Sequence, residues 1–325
     1  MSQRVIISTN LESEIAEALA ECEHDKIFVL TDETTVVKCW PVVKNYFSLR
    51  DAKVITIGAT DTHKDLDTMV HVWKSLGEGG ASRHSCMINL GGGMVTDLGG
   101  FAAATFKRGI NFGGLKNEIG VFCDSKFVIL DTEFLRTLDA ENICSGYAEM
   151  LKHGLISDEK MWAELVGFDL AHPDLQQLQR MVGDSVAVKE RIVEQDPHEH
   201  GIRKALNLGH TFGHAFESWA LKRKPVLHGY AVAFGLIPEL YLSVMKTGFP
   251  TEKMRQTVNF IKENYGSLPI TCDDYDELIE LMRHDKKNQD GIINFTLLGG
   301  IGDIRINQNA TIDEIKEAFD FFREG

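Results

Sequence analysis

The hydrophobic pattern of this chain changes period near Asp139, and that change limits the folds open to it more than any single motif does. Before it, short apolar runs (VIIST, KIFVLTD, KVITIG, CMINLGGG and FVILDT) alternate with helical patterns such as LESEIAEALAECE and KDLDTMVHVWKSL. Apolar strands separated by amphipathic helices are the mark of a parallel sheet covered by helices. After it, EMLKHGLI, PDLQQLQRMVGDSVAVKERIVEQD, HGYAVAFGLIPELYLSVMK, TEKMRQTVNFIKENY and TIDEIKEAFDFFRE are helical in period, and only INFTLLGGIGDIRIN reads as a hairpin. Thr311 and Glu314 have capping-box spacing ahead of the last helix. The expected architecture is an α/β N-terminal domain over residues 1–138 and a predominantly α-helical C-terminal domain over residues 139–325.

With 325 residues, 43% of them hydrophobic, the chain has ample material for two ordinary cores. A formal charge of −14 argues against nucleic acid or an anionic membrane surface as a partner, since either needs a basic face. In so acidic a chain, clustered lysines and arginines carry more information. Cys22, Cys39, Cys86, Cys123, Cys144 and Cys272 are scattered without CxxC spacing, as reduced thiols are, so neither disulfides nor a zinc knuckle is expected. No apolar run approaches the length of a membrane span, and the N-terminus enters a strand-like pattern directly. A soluble, cytoplasmic protein is the expectation.

Two stretches carry chemistry. Residues 207–214 read NLGHTFGH, His228 follows in VLHGYAVAFG, and Glu149 is an acidic residue in the apolar run GYAEMLKHGLI. Imidazole and carboxylate suit zinc or a similar ion, and a catalytic site takes three protein ligands and keeps one position open. Four candidates therefore compete for three places. His210 and His214 share a face if the stretch is helical, so either serves. A single histidine commonly packs or caps something, but the whole set is costly to bury without a cation or good partners. In the N-terminal half, the strand CMINL runs into Gly91, Gly92 and Gly93 and then a helical pattern, a turn that lets backbone N–H groups approach a pyrophosphate. It lacks the GxGxxG spacing, and a simple tight turn explains a bare GGG equally well.

Together, GGGMVTDLGGFAAATFKRG, AEMLKHGLI, KERIVEQDPHEHGIRKALNLGHTFGHAFE, LHG and DKKNQDG resemble the 3-dehydroquinate synthases, in that family's order and over most of the chain. The run from Lys189 to Glu217 matches most closely. The resemblance implies a Rossmann-like, NAD-binding N-terminal domain and a metal- and substrate-binding helical domain. It implies conversion of the keto sugar acid phosphate DAHP to 3-dehydroquinate with loss of phosphate, using NAD and a divalent metal, zinc or cobalt, in a homodimer. Carried over by residue, it makes Glu149, His210 and His228 the metal ligands and leaves His214 as a nearby acid/base or substrate-contacting group. Lys152, Lys189, Arg203 and Asn207 join His214 as catalytic candidates, and Arg108, Lys116, Asn117 and Lys286 as substrate contacts. The cofactor candidates are Asp32, Asp61, Lys64, Gly91, Gly92, Gly93, Asp97 and Thr137. Asp97 also has a structural reading as a helix cap.

The implied chemistry explains why a hydride carrier, a metal and cations belong together. Oxidising the substrate's C5 alcohol acidifies the neighbouring C–H, so phosphate can be eliminated before the ketone is reduced again and an intramolecular aldol step closes the ring. Three departures stand out. Asp61 occupies a glutamate position, Tyr230 follows LHG where glutamate is common, and the family's PTTLL and GGKTG segment is missing between Phe112 and Lys116. Loss of a strand, a helix and a lysine should leave an inactive protein, so the expectation is that the natural chain carries this segment. The alternatives are another sugar phosphate cyclase, a metal-dependent polyol or alcohol dehydrogenase and, were the segment truly absent, a non-catalytic subunit. The basic set Lys152, Lys189 and Arg203 favours an anionic substrate.

Overall fold

The computed structural model describes residues 4–60, 63–113, 125–283 and 293–324. Asp61, Lys116, Asn117 and Lys286 lie outside the described residues. The chain divides into two compact units, Met1–Thr137 and Leu138–Gly325.

The first unit runs β1 (Arg4–Ile7), α1 (Leu11–Ala20), β2 (Ile27–Asp32), α2 (Thr35–Lys38), α3 (Trp40–Val43), β3 (Lys53–Ile57), α4 (Leu66–Glu78), β4 (Cys86–Asn89), α5 (Gly93–Thr105), β5 (Asn111–Gly113) and β6 (Phe127–Leu130). All of its strand pairs are parallel, in the order β3-β2-β4-β5, with β1 paired separately to β6. IFVLTD becomes the interior strand because its apolar run has no polar face: Phe28, Val29, Leu30 and Thr31 are all buried. Its side chains alternate, and Phe28 and Leu30 join Val72 and Leu76 of α4 and Val95 and Leu98 of α5 in one core. The opposite face packs on Ile15 and Leu19 of α1 with Val43 and Leu49. The sequence reading found β1 to β4 and β6 but not β5, whose three residues are too few to show a period.

The second unit is mainly helical: α6 (Ala140–Ser157), α7 (Glu159–Val166), α8 (Leu175–Gln195), α9 (His210–Leu221), α10 (His228–Thr247), α11 (Thr251–Tyr265), α12 (Tyr275–Arg283), β7 (Asn294–Gly300), β8 (Asp303–Asn309) and α13 (Ile312–Glu324). The two strands form the expected antiparallel hairpin. Asp139 starts α6 by accepting the Asn142 N–H at 2.8 Å. The Thr311 and Glu314 capping box is formed, with bonds of 2.7 and 3.2 Å. α10 is apolar on every side and buried along most of its length, against α6, α9, α11, α13 and β7. No helix among the described residues is long and apolar enough to cross a membrane. Cys22, Cys39, Cys86, Cys144 and Cys272 are free thiols.

Candidate functional site

Three helices bring the histidines and Glu149 together. Glu149 lies in the third turn of α6, His210 opens α9 with His214 one turn later, and His228 opens α10. Glu149 Oε1 is 3.4 Å from His210 Nε2 and 3.6 Å from His228 Nε2. A tetrahedral ion with bonds of about 2.1 Å holds its ligand atoms ~3.4 Å apart, so these separations fit one ion. The other ring nitrogens are occupied in ways that free both Nε2 atoms. His210 Nδ1 lies 3.1 Å from the Leu208 carbonyl, and His228 Nδ1 lies 3.2 Å from Glu217 Oε2. A carbonyl or carboxylate on Nδ1 fixes the tautomer that leaves Nε2 as the ligand atom. Ring nitrogens of His210, His214 and His228 also fall within 4.8 Å of one another, which keeps His214 beside the same point.

The electrostatics are those of a charged cluster buried on its Lys152 side and open on its His228 side. The Lys152 ammonium, on a side chain 4% exposed, bonds Glu149 Oε2 and leaves Oε1 to the histidines. Burial drives the Glu149 carboxyl up, but the Lys152 charge and hydrogen bonds from His210 and His228 outweigh it and hold it well below the usual carboxylate value. Hydrogen bonds to Glu149 and then Glu217 raise His228 to about 9, against the effect of burial. A divalent ion would displace that proton, because a ligating imidazole must be neutral. The donor set of two imidazoles, a carboxylate and a nearby third imidazole thus fits a zinc-like cation.

Elsewhere in this unit, Asn207 Nδ2 donates to Glu199 Oε1 at 2.8 Å and Arg203 donates to the Pro197 carbonyl at 2.6 Å. Both lie in the turn just ahead of α9. Lys189 lies on α8 one turn beyond Ser185, which is bonded to the buried His153 of α6 at 2.6 Å. Lys152 is a buried ion-pair partner of Glu149 rather than a solvated surface lysine.

In the first unit the described cofactor candidates Asp32, Gly91, Gly92 and Gly93 lie at the C-terminal ends of parallel strands, where open α/β sheets take ligands. Asp32 ends β2 and accepts the Thr34 and Thr35 N–H groups at 2.8 and 2.7 Å. Gly92 is the N-cap of α5 and offers no side chain to its first-turn amides. A Cβ on Gly92 or Gly93 would meet nothing within 4 Å, so backbone and open space face each other there. Asp97 lies inside α5 and pairs with Lys64 at 3.0 Å, which sets aside its reading as a cap. The Thr137 hydroxyl bonds the Phe134 carbonyl at 2.7 Å, and Arg108 is exposed at a positive φ of 72°. An uncapped helix start beside open glycines suits a dinucleotide pyrophosphate.

Two family models match the chain. The model for the 3-dehydroquinate synthase N-terminal region matches residues 54–115, and that for the C-terminal region matches residues 146–288. A 3-dehydroquinate synthase of Parabacteroides distasonis is 50% identical over 346 aligned residues, covering 99% of this chain and 98% of that protein. The chain belongs to the 3-dehydroquinate synthase family. Among solved structures, 2-epi-5-epi-valiolone synthase of Streptomyces hygroscopicus with NAD+ and Zn2+ bound superimposes with a TM-score of 0.85 at 22% identity, over 100% of this chain and 97% of that one. A 2-deoxy-scyllo-inosose synthase complexed with carbaglucose-6-phosphate, NAD+ and Co2+ gives 0.84 at 19% identity, over 99% and 96%. At these identities the likeness establishes the fold.

Two groups were given no role by the sequence reading, which named Glu217 only as the end of the matching run and did not name Glu239. Glu217, on α9, bonds the Nδ1 of His228; it sits two turns into the helix at a spacing that resembles any solvated face. Glu239 of α10 binds the backbone at the start of α9 from thirty positions away in sequence, where no local signal could reveal it.

Proposed function

We infer that this protein converts DAHP to 3-dehydroquinate and phosphate, with NAD reused at each turnover and a divalent ion held by Glu149, His210 and His228. The observation that carries the reading is Glu149 Oε1 standing 3.4 and 3.6 Å from two imidazole Nε2 atoms, in a chain of this family. When bound, NAD supplies a reversible hydride acceptor for the C5 alcohol, and the metal supplies Lewis-acid polarisation of the oxygen that becomes a ketone. The protein's own groups bind and orient. Gly91, Gly92, Gly93 and the α5 N-terminus take the cofactor pyrophosphate, while Asp32, Asp61, Lys64, Asp97 and Thr137 are the other cofactor contacts. Lys152, Lys189, Arg203 and Asn207 with Arg108, Lys116, Asn117 and Lys286 engage the substrate's phosphate, carboxylate and hydroxyls, since two anionic groups call for a convergent basic set. His214, one turn from His210, handles the proton at the C5 oxygen, an imidazole being matched to that task near neutral pH. A Rossmann-like nucleotide-binding sheet, a homodimer and a cytoplasmic setting complete the reading.

The test is phosphate release from DAHP by the purified full-length protein. Release is expected to require NAD, to stop on chelation and return with Zn2+ or Co2+, and to leave no net NADH. Undiminished release without metal would sink the mechanism, and stoichiometric NADH would indicate a dehydrogenase. Intact mass of the same preparation reports whether a segment with PTTLL and GGKTG motifs follows Phe112.

A further inference from the structure

Glu239 is fully buried in the apolar middle of α10, between Pro238 and Leu240, and takes no part in the chemistry above. Its Oε2 accepts the Gly209 N–H at 2.6 Å, and its Oε1 accepts the Thr211 and Phe212 N–H groups at 3.0 and 3.4 Å. These amides belong to the start of α9, where backbone donors lack partners within the helix. The N-cap itself cannot supply an acceptor. It is Gly209, at φ 81°, and a Cβ there would stand 2.9 Å from Leu236 Cδ2 and 3.0 Å from the Val232 carbonyl. A serine or aspartate cap is therefore excluded by both conformation and space. The next helix provides the acceptor instead.

The residue enclosed by these bonds is His210. The amides on either side of it, of Gly209 and Thr211, both end on Glu239, and its Nδ1 faces the Leu208 carbonyl at 3.1 Å. With the backbone held on both sides and the ring held at Nδ1, Nε2 is left facing Glu149 Oε1 at 3.4 Å. Glu239 is carried by the helix that begins at His228, so one side chain ties the elements bearing two ligands. Its own carbonyl accepts the Ser243 hydroxyl at 2.7 Å, and that hydroxyl accepts the Leu298 N–H of β7 at 3.0 Å, which anchors the support to the hairpin.

We propose that Glu239 is a positioning residue for the metal centre, acting through the Gly209–Thr211 turn to aim His210 at the ion. The proposal rests on the reading of His210 as a ligand, and the experiment keeps the two apart. In Glu239→Gln one oxygen becomes an NH2 group, which sets a donor against backbone N–H donors while keeping size and shape. The expected result is a 10- to 100-fold loss of Zn2+ affinity measured against a competing chelator, as for other groups that orient metal ligands. The visible absorption of the Co2+-loaded variant should shift in position or intensity. Lowered stability of the metal-free variant, with wild-type affinity and an unchanged Co2+ spectrum, overturns the proposal and leaves Glu239 a structural cap. His210→Ala run alongside should hold no metal; wild-type affinity there would overturn the ligand assignment itself.

Should Glu239→Gln fail to fold, hydrogen exchange in the wild-type protein decides. The Gly209, Thr211 and Phe212 amides should stay protected after chelation, because their acceptor is Glu239 and not the ion. Exchange of these amides at loop rates once metal is removed overturns the proposal.

Discussion

Glu149 divides its two oxygens between opposite demands, Oε2 to the Lys152 ammonium and Oε1 to the Nε2 atoms of His210 and His228. That division is what the proposed ligand role of Glu149 requires and an ordinary ion pair does not. From spacing alone, Glu149, His210, His214 and His228 stood as equal candidates, because sequence does not say which ring nitrogen faces which neighbour. In the folded chain, the Leu208 carbonyl and Glu217 occupy the Nδ1 sides of His210 and His228. His210→Ala should therefore lose bound metal on dialysis. His214→Ala should keep it and turn over more slowly by about 10²-fold or more, the scale of a lost general acid or base. Metal content by atomic absorption, beside kcat, checks both, and equal metal loss in the two variants would reject the roles assigned here. Asn207, Arg203 and Lys189 were legible as catalytic candidates only through the family resemblance of the run that carries them. The structure gives Asn207 and Arg203 partners at Glu199 and Pro197 and sets them just ahead of α9.

Between elements, the close approach of α6, α9 and α10 depends on glycines. A Cβ on Gly235 would lie 2.0 Å from the Gly209 carbonyl oxygen and 2.6 Å from the Gly213 nitrogen, and one on Gly229 would lie 1.8 Å from the Ser145 carbonyl oxygen. These are backbone atoms, which cannot swing away as a flexible side chain can. Gly235→Ala should thus destabilise the protein by about 3 kcal/mol or more, at or beyond the upper end for an added methyl in a packed core. Metal affinity should fall with it, because the strain separates the helices that begin at His210 and His228. Denaturant midpoints and chelator competition measure the two effects; an unchanged midpoint would contradict the packing described. The elements were legible as apolar periods, including the α10 run HGYAVAFGLIPELYLSVMK and the hairpin β7-β8. Their mutual distances were not, since a glycine reads the same in sequence whether it admits another backbone or merely turns the chain.

For the molecule as a whole, two histidines, His153 buried and His228 exposed, set opposing limbs of the pH–stability curve. Burial, and then the Lys152 charge, pushes His153 from 6.5 down to about 3, so it stays neutral in the folded protein while the unfolded chain takes up its proton. The unfolded state then binds more protons as pH falls below 6.5, and stability drops by an amount on the order of a few kcal/mol by pH 4.5. His228 moves the other way. Its folded value of about 9 means that its contribution is complete below 6.5 and fades as pH rises toward 9 in the metal-free protein. Metal-free protein should therefore be most stable near pH 6.5, and His153→Gln should flatten the limb between 6.5 and 4.5, as read from denaturant midpoints at half-unit steps. An acid limb unchanged in that variant would show that His153 is not its source.

Read alone, the chain determined what is local: strand and helix type from the period of its apolar residues, a change of period near Asp139, a helix start at Thr311, and a short set of metal-binding candidates. It also carried its family in the order of its motifs. Folding decided everything that depends on distance through space. Which oxygen of Glu149 meets which nitrogen, the capping of α9 by Glu239, the support of His228 by Glu217, and the separate pairing of β1 with β6 all join residues far apart in sequence. The physical reason is that hydrogen bonds and ion coordination act over about 2–4 Å, and only the packed chain brings such residues that close.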